Sequence, residues 1–131
     1  PWDFSIFQDS TIYFCVTLLY LISGENKIIN RLILSVMFQN KMKTNNVIIV
    51  SGHAPGADTL GEKFAADHNL QCELHPADWN RHGRAAGPIR NEKMAEVSDA
   101  LIAFWDGKSR GTRSMIEIAR RKGLQVAVVK Y

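Results

Sequence analysis

The chain has 131 residues, a net charge of +3, 46% hydrophobic and 22% charged residues. That is one domain with enough apolar side chains for a real core, and it excludes a disordered or collagen-like chain. The charge is unevenly spread: residues 1–80 carry five Lys/Arg against eight Asp/Glu, and residues 81–131 carry eleven against five. A basic C-terminal half faces phosphates or solvent equally well, and a net +3 is too modest to make nucleic acid the expected partner.

Two cysteines, Cys15 and Cys72, form no disulfide framework, which fits a reducing cytoplasm. The longest apolar run, Ile12 to Ile22, is shorter than the roughly 20 residues needed to span a bilayer. Asp3 and Asp9 precede it where a signal peptide would be basic, so no membrane partner is expected. Pro1 in place of Met suits a fragment or a processed product. Residues 1–11 lack periodicity and read as a leader, and residues 12–131 read as the domain.

Tyr13 to Ile22 is apolar almost throughout, as a strand covered on both faces requires, and it ends at Ser23-Gly24. Ile29, Leu32, Ile33, Val36 and Met37 then recur at helical spacing. Lys41 and Lys43 lie near the end of that helix, where cations suit its dipole. Val47 to Val50 is the second strand, and it breaks into the small loop Ser51 to Gly56. A helix from Ala57 to about His68 follows, with Asn69 as a left-handed stop. Gln71 to His75 is a short strand, and Pro76 to Ala86 a polar loop. Gly87-Pro88 opens a helix with Ile89, Met94 and Val97 facing inward. Ala100 to Phe104 is a strand whose exit loop is Trp105 to Gly111. Thr112 starts the last helix, Gly123 ends it, and Val126 to Val129 is the final strand.

This alternation predicts a Rossmann-like three-layer α/β/α sandwich with a mostly parallel five-stranded sheet. Ligands of such sheets bind beyond the carboxyl ends of the strands, where Gly24, Ser51 to Gly56, Trp79 to Ala86 and Trp105 to Gly111 all fall.

Two of these loops have the form of anion sites. Ser51, Gly52, Gly56 and Ala57 join a strand to a helix start, an arrangement that either cradles a phosphate or makes a tight connection. Asp58 in the first helical turn would repel a phosphate there, so this loop is better suited to a ribose or another hydroxyl-bearing group. Asp106, Gly107, Arg110, Gly111 and Thr112 form the second loop, with backbone N–H groups and arginines agreeing on phosphate; the plain alternative is that Thr112 caps a helix. Arg90 and Asn91 stand in the first turn of the third helix, where Arg90 either neutralises a ligand or pairs with Asp78 or Asp106. Trp79 and Trp105 offer faces for a nucleobase, or pack. His53, His75 and His82 lack ligand spacing, so neither a metal nor another cofactor is expected.

The segments IVSGHAPGAD (49–58), HPADWNRHGRAAGPIRN (75–91) and DALIAFWDGKSRGT (99–112) resemble the YspA-type, cpYpsA-related SLOG domains, a branch of the Rossmann-like SLOG/LOG superfamily. ISGEN at 22–26 stands where that family usually has Gly-Ser-Arg, with Glu25 and Asn26 in place of Ser and Arg. The resemblance implies a domain that binds, or senses, a nucleotide or a nucleotide-derived small molecule. Related LOG enzymes cleave the base from a nucleoside 5′-monophosphate. Their catalytic glutamate would fall on Met115, and Glu117 lies roughly 200° further round a helix. Catalysis is therefore open, with Asp58, Asp106 and Arg90 as candidates for an N-glycosidase. Single-stranded nucleic acid is the third alternative, and a homo-oligomer stays open as well.

Overall fold

The computed structural model describes residues 11–18, 31, 35, 47–53 and 59–130. The strands are β1 (Ile12–Leu18), β2 (Val47–Ser51), β3 (Gln71–Leu74), β4 (Ala100–Trp105) and β5 (Gln125–Lys130). The helices are α1 (Thr59–Asp67), α2 (Trp79–His82), α3 (Ala86–Val97) and α4 (Arg110–Arg121), with a 3-10 turn over Gly83–Ala85. The helix expected around Ile29 to Met37 lies largely outside the described residues, although Arg31 and Ser35 within it are helical.

The five strands form one sheet in the order β3-β2-β1-β4-β5, and every adjacent pair is parallel. This is the expected Rossmann-like α/β architecture. From β1 the strand order runs outward through β2 to β3. The long return from β3 to β4 reverses that direction, so α3 and α4 cover the other face and pack on each other. The point of reversal, between β1 and β4, is where such sheets open a crevice.

Burial explains why the middle strands read so clearly. Ala100 to Phe104 on β4 and Val47, Ile49 and Val50 on β2 are all but withdrawn from solvent. On the α3/α4 side, Met94, Ala95, Met115, Ile116, Ile118 and Ala119 pack with Cys15, Leu101 and Ala103 into one cluster. Asn69 adopts φ 55 just past α1, as expected of a left-handed stop.

Two boundaries differ from the sequence reading. Pro76 to Ala86 contains α2 and a 3-10 turn rather than loop alone. Asp78 nucleates α2 by accepting the Arg81 N–H at 3.1 Å, and α2 buries no side chain, so no apolar period betrays it. The last helix begins at Arg110 rather than Thr112, because Ser109 is its cap, with Oγ accepting the Thr112 N–H at 3.4 Å.

Candidate functional site

Three strand ends meet on the carboxyl edge: Ser51 on β2, Leu74 on β3 and Trp105 on β4. Arg90 and Asn91, in the first half of α3, tie the β2 and β4 exits together. Arg90 Nη1 donates to the Gly52 carbonyl at 2.7 Å, and its Nε donates to Asn91 Oδ1 at 3.1 Å. Asn91 is 6% exposed and its Nδ2 donates to the Gly111 carbonyl at 3.4 Å. One arginine–asparagine pair thus spans from the residue after β2 to the first turn of α4. Arg90 pairs with neither Asp78 nor Asp106 among the described ion pairs; it is turned to backbone instead. An arginine has five N–H donors, so some remain for a ligand.

The β4 exit is built by Asp106. Its Oδ1 accepts the N–H groups of Lys108 and Ser109, both at 2.8 Å, and these bonds hold the carboxyl below the usual aspartate range. Gly107 completes the turn at φ 83, a conformation glycine adopts without strain. Trp105 Nε1 donates to the Ser109 carbonyl at 3.1 Å, and the Lys130 ammonium sits 5.3 Å from the indole ring. Ser109 then caps α4, so the Arg110 and Gly111 N–H groups lead a twelve-residue helix. Thr112 is 3% exposed, and its hydroxyl is engaged by Ser109 Oγ at 3.3 Å.

The β2 exit has a feature that the sequence did not reveal. Ser51 is buried, and its Oγ donates to Glu62 Oε1 at 3.0 Å while accepting the His53 N–H at 3.1 Å. His53 Nδ1 lies 2.7 Å from the same carboxylate oxygen, and His53 holds φ 52, rare for a residue with a side chain. Glu62, in the first turn of α1, is thus a carboxylate at the site's edge. Ser51 and Glu62 are eleven residues apart, a spacing with no local meaning in the sequence.

Gly24, Gly56, Ala57 and Asp58 lie outside the described residues. Trp79 is 59% exposed on α2, with an edge of its ring close over Gly87. Met115 is fully buried in the core, so the position of the related hydrolases' glutamate faces no ligand. No helix among the described residues is long and apolar enough to cross a membrane.

The comparisons with known proteins bear on the family and the fold. Gene 61 protein of Mycobacterium phage D29 is 37% identical over 86 residues, covering 61% of this chain and 69% of that protein. Among solved structures, DNA processing protein A (DprA) from Streptococcus pneumoniae superposes with a TM-score of 0.67 at 17% identity. That match covers 90% of this chain but only 50% of the DprA chain, and at such identity it speaks for the fold alone. The sequence profile of the YspA, cpYpsA-related SLOG family matches residues 20–82, from the segment before β2 to the end of α2. With β2, its exit loop and the His75 to His82 segment inside that match, the chain belongs to the YspA, cpYpsA-related SLOG family.

Proposed function

We propose that this domain binds a nucleotide or a nucleotide-derived small molecule on the carboxyl edge of its sheet. The observation that carries the reading is the Arg90–Asn91 pair, which fixes the β2 exit to the start of α4 through Gly52 and Gly111. Loops held in register in this way form a site before any ligand arrives, which lowers the ordering cost of binding. The Arg110 and Gly111 N–H groups take a phosphate at the positive end of α4, assisted by the remaining donors of Arg90. The Ser51–Gly52 exit supplies the wall for a ribose, and the exposed face of Trp79 stacks on the base.

Gly111→Ala tests the phosphate assignment. A Cβ at Gly111 meets nothing within 4 Å, so the helix accepts it. It would crowd an anion resting on that turn of backbone. Calorimetry across a nucleotide panel is expected to show the variant binding at least about ten-fold more weakly, at an unchanged melting temperature. Undiminished affinity sinks the phosphate assignment; no wild-type binding below the millimolar range sinks the whole reading.

A second reading, hydrolysis of an N-glycosidic bond, draws support from Glu62, a carboxylate fixed by Ser51 and His53 beside the β2 exit. Release of free base from a nucleoside monophosphate, abolished by Glu62→Gln, is its signature. A panel without turnover would end it.

A further inference from the structure

The β3 exit and the α2–α3 segment line an open cleft of about 260 Å³ that Arg90 borders. His75, Asp78, Arg81, His82, Arg90 and Lys93 supply its polar wall. Three of these are permanent cations brought from α2 and α3, and two more are histidines. One carboxylate, Asp78, shares the wall, and Glu73 stands beside it. Asp78 Oδ1 accepts the Arg81 backbone N–H at 3.1 Å, and Glu73 Oε1 lies 2.6 Å from His75 Nε2. Elsewhere on the described surface Lys63, Arg113, Arg121 and Lys122 each meet a carboxylate. Arg81, Arg90 and Lys93 form no ion pair with any described carboxylate. Three cations against the single wall carboxylate, Asp78, leave this concave surface net positive, and an anion relieves that potential.

We infer that this cleft is a second anion subsite, taking a further phosphate group of the ligand, so that the domain selects nucleotides with more than one phosphate. The inference rests on the nucleotide reading above and deepens it: Arg90 lines the cleft and, with Asn91, ties the β2 exit to the start of α4, so the two phosphate positions share one residue. Arg81 supplies a planar fork and Lys93 a mobile point charge, a combination suited to a terminal phosphate with several oxygens. Arg81, Arg90 and Lys93 are spread over thirteen residues interrupted by Gly83 and Gly87-Pro88, and only the fold of α2 against α3 brings them to one cleft.

The test compares nucleoside mono- and diphosphates by calorimetry on the wild type and on Arg81→Ala and Lys93→Ala, both at exposed positions where the fold tolerates truncation. The wild type is expected to prefer diphosphates by about ten-fold or more, a preference that falls with added salt and collapses in both variants. Equal affinity for the two ligand classes, or a preference that survives both substitutions, overturns the subsite. If no nucleotide binds, the nucleotide reading fails by itself, and inorganic pyrophosphate becomes the probe of the cleft. Saturable amide shifts at Asp78, Arg81 and Lys93, lost in Arg81→Ala, then uphold an anion site; their absence overturns it. Circular dichroism of each variant confirms that lost binding is not lost folding.

Discussion

Replacing Arg90 by methionine tests whether the arginine organises the site or merely decorates it. The side chain keeps its length and apolar stem but loses every donor. Two hydrogen bonds disappear, one of 2.7 Å to the buried Gly52 carbonyl and one of 3.1 Å to Asn91 Oδ1. Bonds to a charged donor contribute about 1.5–3 kcal/mol each. Arg90 is only half-buried, so water replaces part of what is lost, and a net destabilisation of about 2–4 kcal/mol is expected. With a urea dependence of roughly 1.5 kcal/mol per molar, the midpoint should fall by about 1.3–2.7 M. Arg90→Lys keeps the charge and reaches one acceptor at most, so it belongs between the two. Asn91→Ala should be non-additive with Arg90→Met by roughly 1–2 kcal/mol in a double-mutant cycle, because each loss removes the other's partner. Urea unfolding followed by circular dichroism measures the wild type and all four variants. A midpoint shift for Arg90→Met below about 0.3 M, or simple additivity with Asn91→Ala, would show that the bridge does not hold the loops.

Two further predictions concern titrating groups away from that bridge. Asp99, whose Oδ2 accepts the Tyr13 N–H at 2.9 Å, has its carboxyl pushed up by burial, with that hydrogen bond opposing the rise. The folded state therefore keeps a proton that the unfolded chain has already lost, so this group's contribution is fully present below the unfolded value and is lost as pH rises through the folded one. Asp99→Asn keeps an acceptor for Tyr13 and should raise the melting temperature at pH 7 modestly, by less at pH 4; the same gain at both would contradict the assignment. The Cys72 thiol is pushed up to about 11 by burial first and by the Glu62 charge second. Its thiolate is then scarce at pH 8, and alkylation should run roughly two hundred-fold slower than for a free cysteine. Glu62→Gln should speed it, and an unchanged rate would separate Cys72 from the Glu62 cluster.

The parallel sheet was legible because β2 and β4 are buried on both faces and carry unbroken apolar runs. The ends of elements were less so, for a local reason. Thr112 looked like the first helical residue because it follows Gly111, whereas Ser109 makes the cap and Arg110 and Gly111 are already helical. α2 was missed because a four-residue helix without a buried side chain has no apolar period to read. Of the site, Arg90, Asn91, Gly52 and Gly111 were recognisable one by one from their places at strand exits and helix starts. Their joining was not, since it spans 38 residues from Gly52 to Arg90 and 20 from Asn91 to Gly111. Glu62's pairing with Ser51 is likewise a product of tertiary packing, whereas the cleft residues share one stretch of chain and only their convergence depends on the fold.

The state of the carboxylates weighs binding against hydrolysis. A general acid for base release must carry a proton near neutral pH. Asp106 is held ionised by two backbone N–H groups, and those same bonds make it the scaffold of the β4 exit, so it is poorly suited to donate one. Met115 is sealed in the core and offers no carboxylate. Glu62 accepts a hydroxyl and faces an imidazole on one oxygen, which fixes its position and leaves Oε2 without a bond to any described residue. Beside the β2 exit, Glu62 is thus a fixed carboxylate with one oxygen left over, and the backbone N–H groups at the start of α4 are the donors that the binding reading uses. Binding needs only the donors; catalysis would need Glu62 to reach the glycosidic bond as well. The Glu62→Gln variant separates the two: if it binds nucleotides as tightly as the wild type, Glu62 is no part of the binding wall, and its only remaining uses are holding the Ser51–His53 turn or chemistry.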